Sequence, residues 1–485
     1  MMPATSASRR TKIVATLGPS SSSAAVIAEL LDSGVNIFRL NFSHGDAEQH
    51  TENARTVRDL AAQRDIHVGI LGDLQGPKIR IGDLQQESKP LEDGQPLLLT
   101  VDESAADSRE NRIHVVYSAL PQSVAAGDTL LVDDGLIRLE VQSVEGSAVH
   151  CRVVQAGLLK SRKGLNRLGG GLSAAAMTNK DFADLDVIIG LDLEYVAVSF
   201  PASAADLAPV RKALEAAGSK TKIIAKIERA EAVASELHLG ALIDAADGVM
   251  VARGDLGVEI GDAQLIGVQK NIIRLSRRAN KPVITATQMM ESMINQPIPT
   301  RAEVFDVANA VLDGTDAVML SSETAAGQYP VKSVSAMAET ALGAERHPTM
   351  RESTYRVDRS FDSIDETIAM SVIYAANHLT DLAAIICLTE SGTTPLLASR
   401  LSSSLPIYGI SPHLATCRRM ALYRGVIPLF FDVTQAGKSD LSAVAMDLIA
   451  RRGELQVGQR VAFTCGDMHG EGGSTNTLKL LQYCG

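Results

Sequence analysis

VMVARGDLGVEIG, residues 249–261, is the stretch on which the fold turns. Val249 to Ala252 form a small, β-branched apolar run, the pattern of a strand buried on both faces. The run stops abruptly at Arg253, Gly254 and Asp255. A buried strand with a carboxylate at its C-terminal tip is how parallel α/β enzymes present metal ligands and catalytic groups. Just upstream, IIAKIERAE (223–231) has the same character, and its Lys226 and Glu228 are two apart, so they share one face of an extended strand. Two acids and a lysine at neighbouring strand tips point to a divalent cation beside an anionic substrate. Solvated charge at strand ends would explain either stretch alone, but it explains the pair poorly.

Working outward, short β-branched strands alternate with helical patterns. KIVATLG (12–18), NIFRLNFSHG (36–45) and HVGILGDL (67–74) come first. YVAVSF (195–200), KIIAKIE (222–228), GVMVARGD (248–255), PVITATQ (282–288) and AVMLSSE (317–323) bring the total to eight. This predicts an α/β chain built on a (β/α)₈ barrel. Polar residues gather at the strand C-termini: Arg39, Asn41, Ser43, Asp73, Lys226, Glu228, Arg253, Asp255, Thr287 and Ser321. A doubly wound open sheet would instead concentrate them at one switch point. From 79 to 172 the rhythm is strand and turn without a long helix, ending in the glycine-rich RLGGGLS (167–173). The expected architecture is a barrel domain in two parts (1–78 and 173–345), an inserted β-barrel (79–172) and a C-terminal α/β domain (346–485).

The length of 485 residues favours several domains, and 45% hydrophobic with 21% charged residues is ordinary for a globular protein. A net charge of −11 and the lack of a basic run argue against nucleic-acid binding. Five scattered cysteines without metal-ligand spacing imply reduced thiols. With no signal-peptide pattern and no bilayer-length apolar run, the expected location is the cytoplasm, away from membranes. Residues 1–11 are polar, with a disordered start expected.

FRLNFSHG (38–45) places Arg39, Asn41 and Ser43 on one face, where a guanidinium can clamp phosphate and the amide and hydroxyl oxygens can ligate a cation. His44 reads as structural. In GDLQGPKIR (72–80), Asp73 can serve the same cation and Arg80 a nucleotide phosphate. In ITATQMMESM (284–293) and PTRAEVFDVANAVLDGTDAVMLSSETA (299–325), Thr287 and Ser321 can orient a carboxylate or a proton-carrying water, or serve only as helix caps. There is no GxxxxGK[ST], HExxH, GxSxG or GxGxxG, which leaves P-loop, zinc-protease, serine-hydrolase and dinucleotide sites without support.

These segments together resemble pyruvate kinase in its bacterial form. FRLNFSHG, GDLQGPKIR, the KIE of IIAKIERAE, VARGDLGVEI, ATQMMESM and the long PTRAEV…SSETA segment carry the resemblance, which covers nearly the whole chain. It implies an inserted domain that closes as a lid, a regulatory C-terminal domain and a homotetramer. Glu228 and Asp255 would hold Mg²⁺ or Mn²⁺. Gly254, Asp255 and Thr287 would contact phosphoenolpyruvate, Arg39 its phosphate, and Lys226 the transferred phosphoryl group and the enolate. Thr287 and Ser321 are candidates for a proton relay to that enolate. Asn41, Arg80 and Lys163 would meet ADP. Asn41, Ser43, Asp73 and the Leu74 carbonyl match a monovalent-cation site.

Two departures matter. Lys78 stands where potassium-dependent members carry Glu; a fixed ammonium there predicts activity without K⁺. In LTESGTTP (388–395), Ser391, Gly392, Thr393 and Thr394 resemble an effector phosphate loop, with an ordinary capped helix as the alternative. Glu390 replaces the Lys of members activated by fructose 1,6-bisphosphate, which predicts a sugar monophosphate or AMP as the effector. Two rivals fit less well. A Mg²⁺-dependent barrel aldolase or lyase has no use for Arg80, Lys163 or the insert, and a non-enzymatic phosphosugar sensor would be expected to lose Lys226, Glu228 or Asp255.

Overall fold

The computed structural model describes residues 9–172, 177–350, 360–431, 441–466 and 475–485. The expected disordered start (residues 1–8), Ser173 of the hinge and Asp440 at a helix start lie outside them.

Eight parallel strands, Lys12–Thr16, Ile37–Asn41, Gly69–Asp73, Tyr195–Val198, Lys222–Ile227, Gly248–Ala252, Val283–Ala286 and Ala317–Leu320, close into a barrel. The ladder closes because the first strand pairs with both the second and the eighth. Their composition suits this position: Gly248–Ala252 and Val283–Ala286 are buried throughout, and a parallel strand covered on both sides must be apolar along its whole length. One set of side chains, including Ile13, Ile70, Val196 and Val251, packs under the surrounding helices. The opposite set, including Val14, Leu71, Ile224 and Met250, is continuous with C-terminal-domain residues such as Met420 and Tyr423. The helices start and stop where the sequence signals it. Arg301–Asp313 opens on a Thr300/Glu303 capping box and ends at Gly314, whose φ of 89° suits a residue without Cβ.

Residues 9–11 are tied down despite their polarity. Arg9 donates to the Gly34 carbonyl, and Glu345 accepts from Thr11 through both its backbone amide and its hydroxyl.

In the insert, Ser88–Leu91 pairs with Gly157–Lys160, while a six-stranded sheet runs Leu165–Arg167, Thr129–Val132, Ile137–Glu145, Ala148–Gln155, Pro96–Thr100, Arg112–His114. Both sheets enclose one apolar core that includes Leu91, Leu99, Val141, Val149 and Leu159. IRIGDL (79–84), which opens the strand-and-turn stretch, forms only isolated bridges through Arg80 and Ile81, because Gly82 and Asp83 break its apolar alternation.

The C-terminal sheet runs Val426–Phe430, Ile407–Ser411, Leu382–Leu388, Arg460–Gly466, Thr475–Gln482. Sequence reasoning missed its last strand, which is antiparallel. TNTLKLLQ is half-exposed and carries little apolar alternation, as edge strands often do. Among the described residues, no helix is long and apolar enough to cross a membrane.

Candidate active site

The polar strand tips meet at the C-terminal end of the barrel. Register places Asp73 beside Asn41, and Arg39 lies two residues earlier on the same strand as Asn41. Arg39 Nε donates to Asp73 Oδ2 at 2.6 Å, and its Nη1 donates to Thr16 Oγ1 at 3.1 Å. Lys226 Nζ lies 3.3 Å from Asp73 Oδ1 and 3.0 Å from Glu228 Oε1, and it donates to Ser199 Oγ at 2.7 Å. Asp73 and Glu228 are buried, so these charges are only weakly screened by water. Burial pushes the Asp73 carboxyl up, but Lys226 and Arg39 outweigh it and hold Asp73 below its usual range. Burial disfavours the Lys226 ammonium, yet Asp73 and Glu228 reverse this and keep the lysine charged. Glu228 is raised, first by burial and also by Asp255 nearby.

The second half of the site is a loop held in an uncommon conformation. Thr287 and Gln288 have φ of 66° and 55°, a region that costs non-glycine residues roughly 1–3 kcal/mol each. Arg253 holds them there: its Nη2 donates to the Thr287 carbonyl at 2.6 Å and its Nε to the Ala286 carbonyl at 3.1 Å, while Nη1 pairs with Asp306 at 2.7 Å. Arg253 is therefore a clamp beneath the surface. Gly254 N, in the first turn of helix Arg253–Ile260, donates to Thr287 Oγ1 at 2.8 Å. Glu323 accepts from Ser321 N at 2.7 Å and from Met290 N at 3.1 Å, fixing the next loop. Gly254, Thr287, Ser321 and Glu323, with Asp134 from the insert, line a cavity of about 330 Å³.

Among the described residues, no cluster of three or more His, Cys, Asp or Glu side chains has the geometry to hold a metal ion. A divalent cation held through one or two carboxylates plus substrate oxygens needs no such all-protein cage. Glu228 and Asp255 are the carboxylates placed for that role; burial is the main cause that raises the Glu228 carboxyl, and the Asp255 charge beside it adds to the shift. The residues fit a divalent cation.

Two family models match the chain: the pyruvate kinase barrel domain over residues 8–334 and the pyruvate kinase alpha/beta domain over 366–481. The chain belongs to the pyruvate kinase family. It is 50% identical over 473 residues to pyruvate kinase II of Salmonella typhimurium, covering 98% of each chain. It is 48% identical over 474 residues to the pyruvate kinase of Buchnera aphidicola from Baizongia pistaciae, covering 98% of this chain and 99% of that one. A crystal structure of a Cryptosporidium parvum pyruvate kinase superposes with a TM-score of 0.91 at 33% identity, covering 99% of this chain and 98% of the other. The enzyme is thus a kinase that transfers phosphoryl between phosphoenolpyruvate and ADP, with pyruvate and ATP as products.

Within this pyruvate kinase the structure gathers Arg39, Asp73, Lys226 and Glu228 into one cluster and joins Gly254 to Thr287. Asn41 Oδ1 accepts from Ser43 N at 3.2 Å, and the Leu74 carbonyl accepts from Ser199 Oγ at 2.7 Å. Asp73 Oδ1 faces Lys226 Nζ at 3.3 Å and has no other partner among the described residues. Lys78 is placed differently from the sequence argument. Its Nζ lies 2.9 Å from Asp255 and 3.7 Å from Asp134, and no ion pair joins it to Asp73 among the described residues. Arg80 bridges to Gly164 and donates to the Arg162 carbonyl at 2.9 Å, while Lys163 pairs with Asp133 at 2.8 Å.

The C-terminal loop is largely self-satisfied. Ser391 and Thr393 hydroxyls lie 2.8 Å apart, and Gly392 N donates to Thr389 Oγ1 at 2.9 Å. Thr394 is buried, its hydroxyl 2.7 Å from that of Thr475, so the structure turns it away from the loop surface. Glu390 lies 2.7 Å from His413.

Sequence reasoning missed Ser199, Glu323 and Asp134. Only the VDDG turn (132–135) and the SSET cap (321–324) hinted at the last two, and Ser199 had no signal beyond lying at a strand end.

Proposed function

We propose that phosphoryl transfer is carried by Arg39, Lys226, Thr287 and the Glu228–Asp255 pair. Arg39, oriented by Asp73, clamps the phosphate of phosphoenolpyruvate. Lys226 presents a fixed ammonium to the transferred phosphoryl group and to the enolate that remains. Glu228 and Asp255 would hold Mg²⁺ or Mn²⁺, which would supply further positive charge to the reacting group. Gly254, Asp255 and Thr287 seat the substrate carboxylate. Thr287 and Ser321, on one cavity, hand a proton through water to the enolate carbon.

Asn41, Arg80 and Lys163 meet ADP when the insert (79–172) closes over the barrel (1–78 and 173–345) and excludes competing water. Lys78 makes K⁺ dispensable at the site of Asn41, Ser43, Asp73 and the Leu74 carbonyl. Ser391, Gly392 and Thr393, with Thr394 beneath them in the 346–485 domain, take a sugar monophosphate or AMP. The enzyme works as a cytoplasmic homotetramer.

The observation that carries this reading is Lys226, ion-paired to both Asp73 and Glu228, with Asp255 close enough to raise Glu228. The test is pyruvate formation from phosphoenolpyruvate with Mg²⁺, with and without ADP. Release that needs ADP and vanishes with EDTA supports it. ADP-independent release would move the chain to the lyases.

A further inference from the structure

Away from the active site, a small cavity lies between the barrel and the C-terminal domain. Four guanidiniums line it, those of Arg10, Arg277, Arg400 and Arg424, with Gly314 and Ser403 among its other walls. Three of them are engaged. Arg400 is paired with Asp316. Arg10 donates to the Met350 and Ser403 carbonyls. Arg277 lies over Gly314 so closely that a Cβ there would meet its Nη1 at 2.6 Å, and its Nη2 donates to the Arg400 carbonyl at 3.3 Å.

Arg424 differs. Its backbone amide donates to Asp316, but no hydrogen bond or ion pair of its side chain occurs among the described residues. Its Nη2 is shut off from solvent without a partner. Arg424 as a whole is only partly buried, but a donor nitrogen shut away without a partner is costly, and an arginine cannot escape that cost by losing its proton near neutral pH. Burial, with Arg10 and Arg277 adding to it, lowers Arg424 to about 10 even though Glu345 and Asp316 oppose the shift. Those two carboxylates are already committed, Asp316 to Arg400 and Glu345 to Thr11 and Arg10.

We propose that this cavity binds one small inorganic anion of chloride size on Arg424, bridging the barrel and the C-terminal domain. Its volume of about 20 Å³ decides the size class. That admits one water-sized particle, whereas sulfate or phosphate brings five heavy atoms. The anion stands between Arg277, on barrel helix Asp262–Arg278, and Arg424, just before C-terminal strand Val426–Phe430, so it neutralises repulsion across the domain boundary.

Two measurements on the full-length enzyme test this. Crystals soaked in bromide are expected to show an anomalous peak beside Arg424 Nη2, and its absence overturns the proposal. Melting temperature is then followed in potassium chloride against potassium gluconate at equal ionic strength. Chloride is expected to raise it in the wild type and to have no such effect in Arg424→Met. An equal chloride shift in both proteins overturns the proposal, and protection by sulfate or phosphate matching that of chloride overturns the size assignment. If Arg424→Met does not fold, the bromide map decides alone.

Discussion

Lys78 Nζ lies 2.9 Å from Asp255 Oδ1, so the lysine proposed to replace K⁺ is bonded to a carboxylate proposed to hold the divalent cation. Burial disfavours its charge, but Asp255 and Asp134 more than compensate, and Lys78 stays cationic at any working pH. Held on Asp255 rather than on Asp73, this ammonium would act from beside the proposed monovalent-cation site, supplying the positive charge that such an ion contributes. The wild-type enzyme is expected to turn over in potassium-free buffer, and Lys78→Glu to need added K⁺. The rate without K⁺ should drop by about tenfold or more in the variant, equivalent to roughly 1.4 kcal/mol of transition-state stabilisation. Wild-type turnover near zero without K⁺ would reduce Lys78 to a partner of Asp255.

Lys226→Met removes the ammonium and leaves two buried acids behind. By analogy with the loss of one preorganised donor, kcat is expected to fall about 10²–10³-fold. Breaking such a pair costs about 3 kcal/mol or more of stability. Part of that loss should be recovered in mild acid, because Glu228, already raised, takes up a proton once its partner is gone. Steady-state kinetics and urea unfolding at two pH values check both halves. An unchanged kcat would remove Lys226 from the chemistry.

Glu259 joins the barrel to the insert, accepting from Ala230 N at 2.8 Å and from Asn166 Nδ2 at 3.3 Å. Burial raises its carboxyl from 4.5 to about 7. The folded state therefore holds this proton more tightly than the unfolded chain. The stabilisation is complete below about pH 4.5 and is lost as pH rises to about 7, where the buried carboxylate ionises. The whole swing is of the order of 3 kcal/mol. Glu259→Gln keeps the Ala230 bond, and Asn166 can turn its amide to match. The variant is expected to gain stability relative to the wild type as pH is raised from 5 to 8. Parallel melting curves with no change in their separation would show that Glu259 does not titrate in this range.

Arg400 and Asp316 are each 1% exposed and join the C-terminal domain to the start of the last barrel strand. Asp316 also accepts from Val283 N at 3.0 Å and from Arg424 N at 3.1 Å. Arg400→Met strands a buried carboxylate and is expected to cost about 3–5 kcal/mol. Arg400→Met combined with Asp316→Asn should recover part of that loss, since no unpaired charge then remains. Denaturant unfolding of the two variants measures the difference, and equal losses would mean that packing rather than charge holds this contact.

The barrel was legible because its determinants are local. Val249–Ala252 is apolar throughout and Val283–Ala286 is apolar but for Thr285, and that pattern suits strands covered on both faces. The pairing of Lys226 with Glu228 was legible for the same reason, as a spacing of two fixes a shared face. Thr475–Gln482 was not, because its partner on the sheet, not its own pattern, makes it a strand.

The sequence by itself determined the alternation of strands and helices, the inserted β-module and the set of polar tips, since periodicity, turn residues and caps act over a few positions. Only the tertiary structure decided which tips meet. Arg253 is a clamp rather than a ligand, Thr394 turns inward to Thr475, and Lys78 reaches Asp255 across 177 positions of chain. Contacts of that span depend on barrel closure and side-chain packing, and no local pattern of residues encodes them.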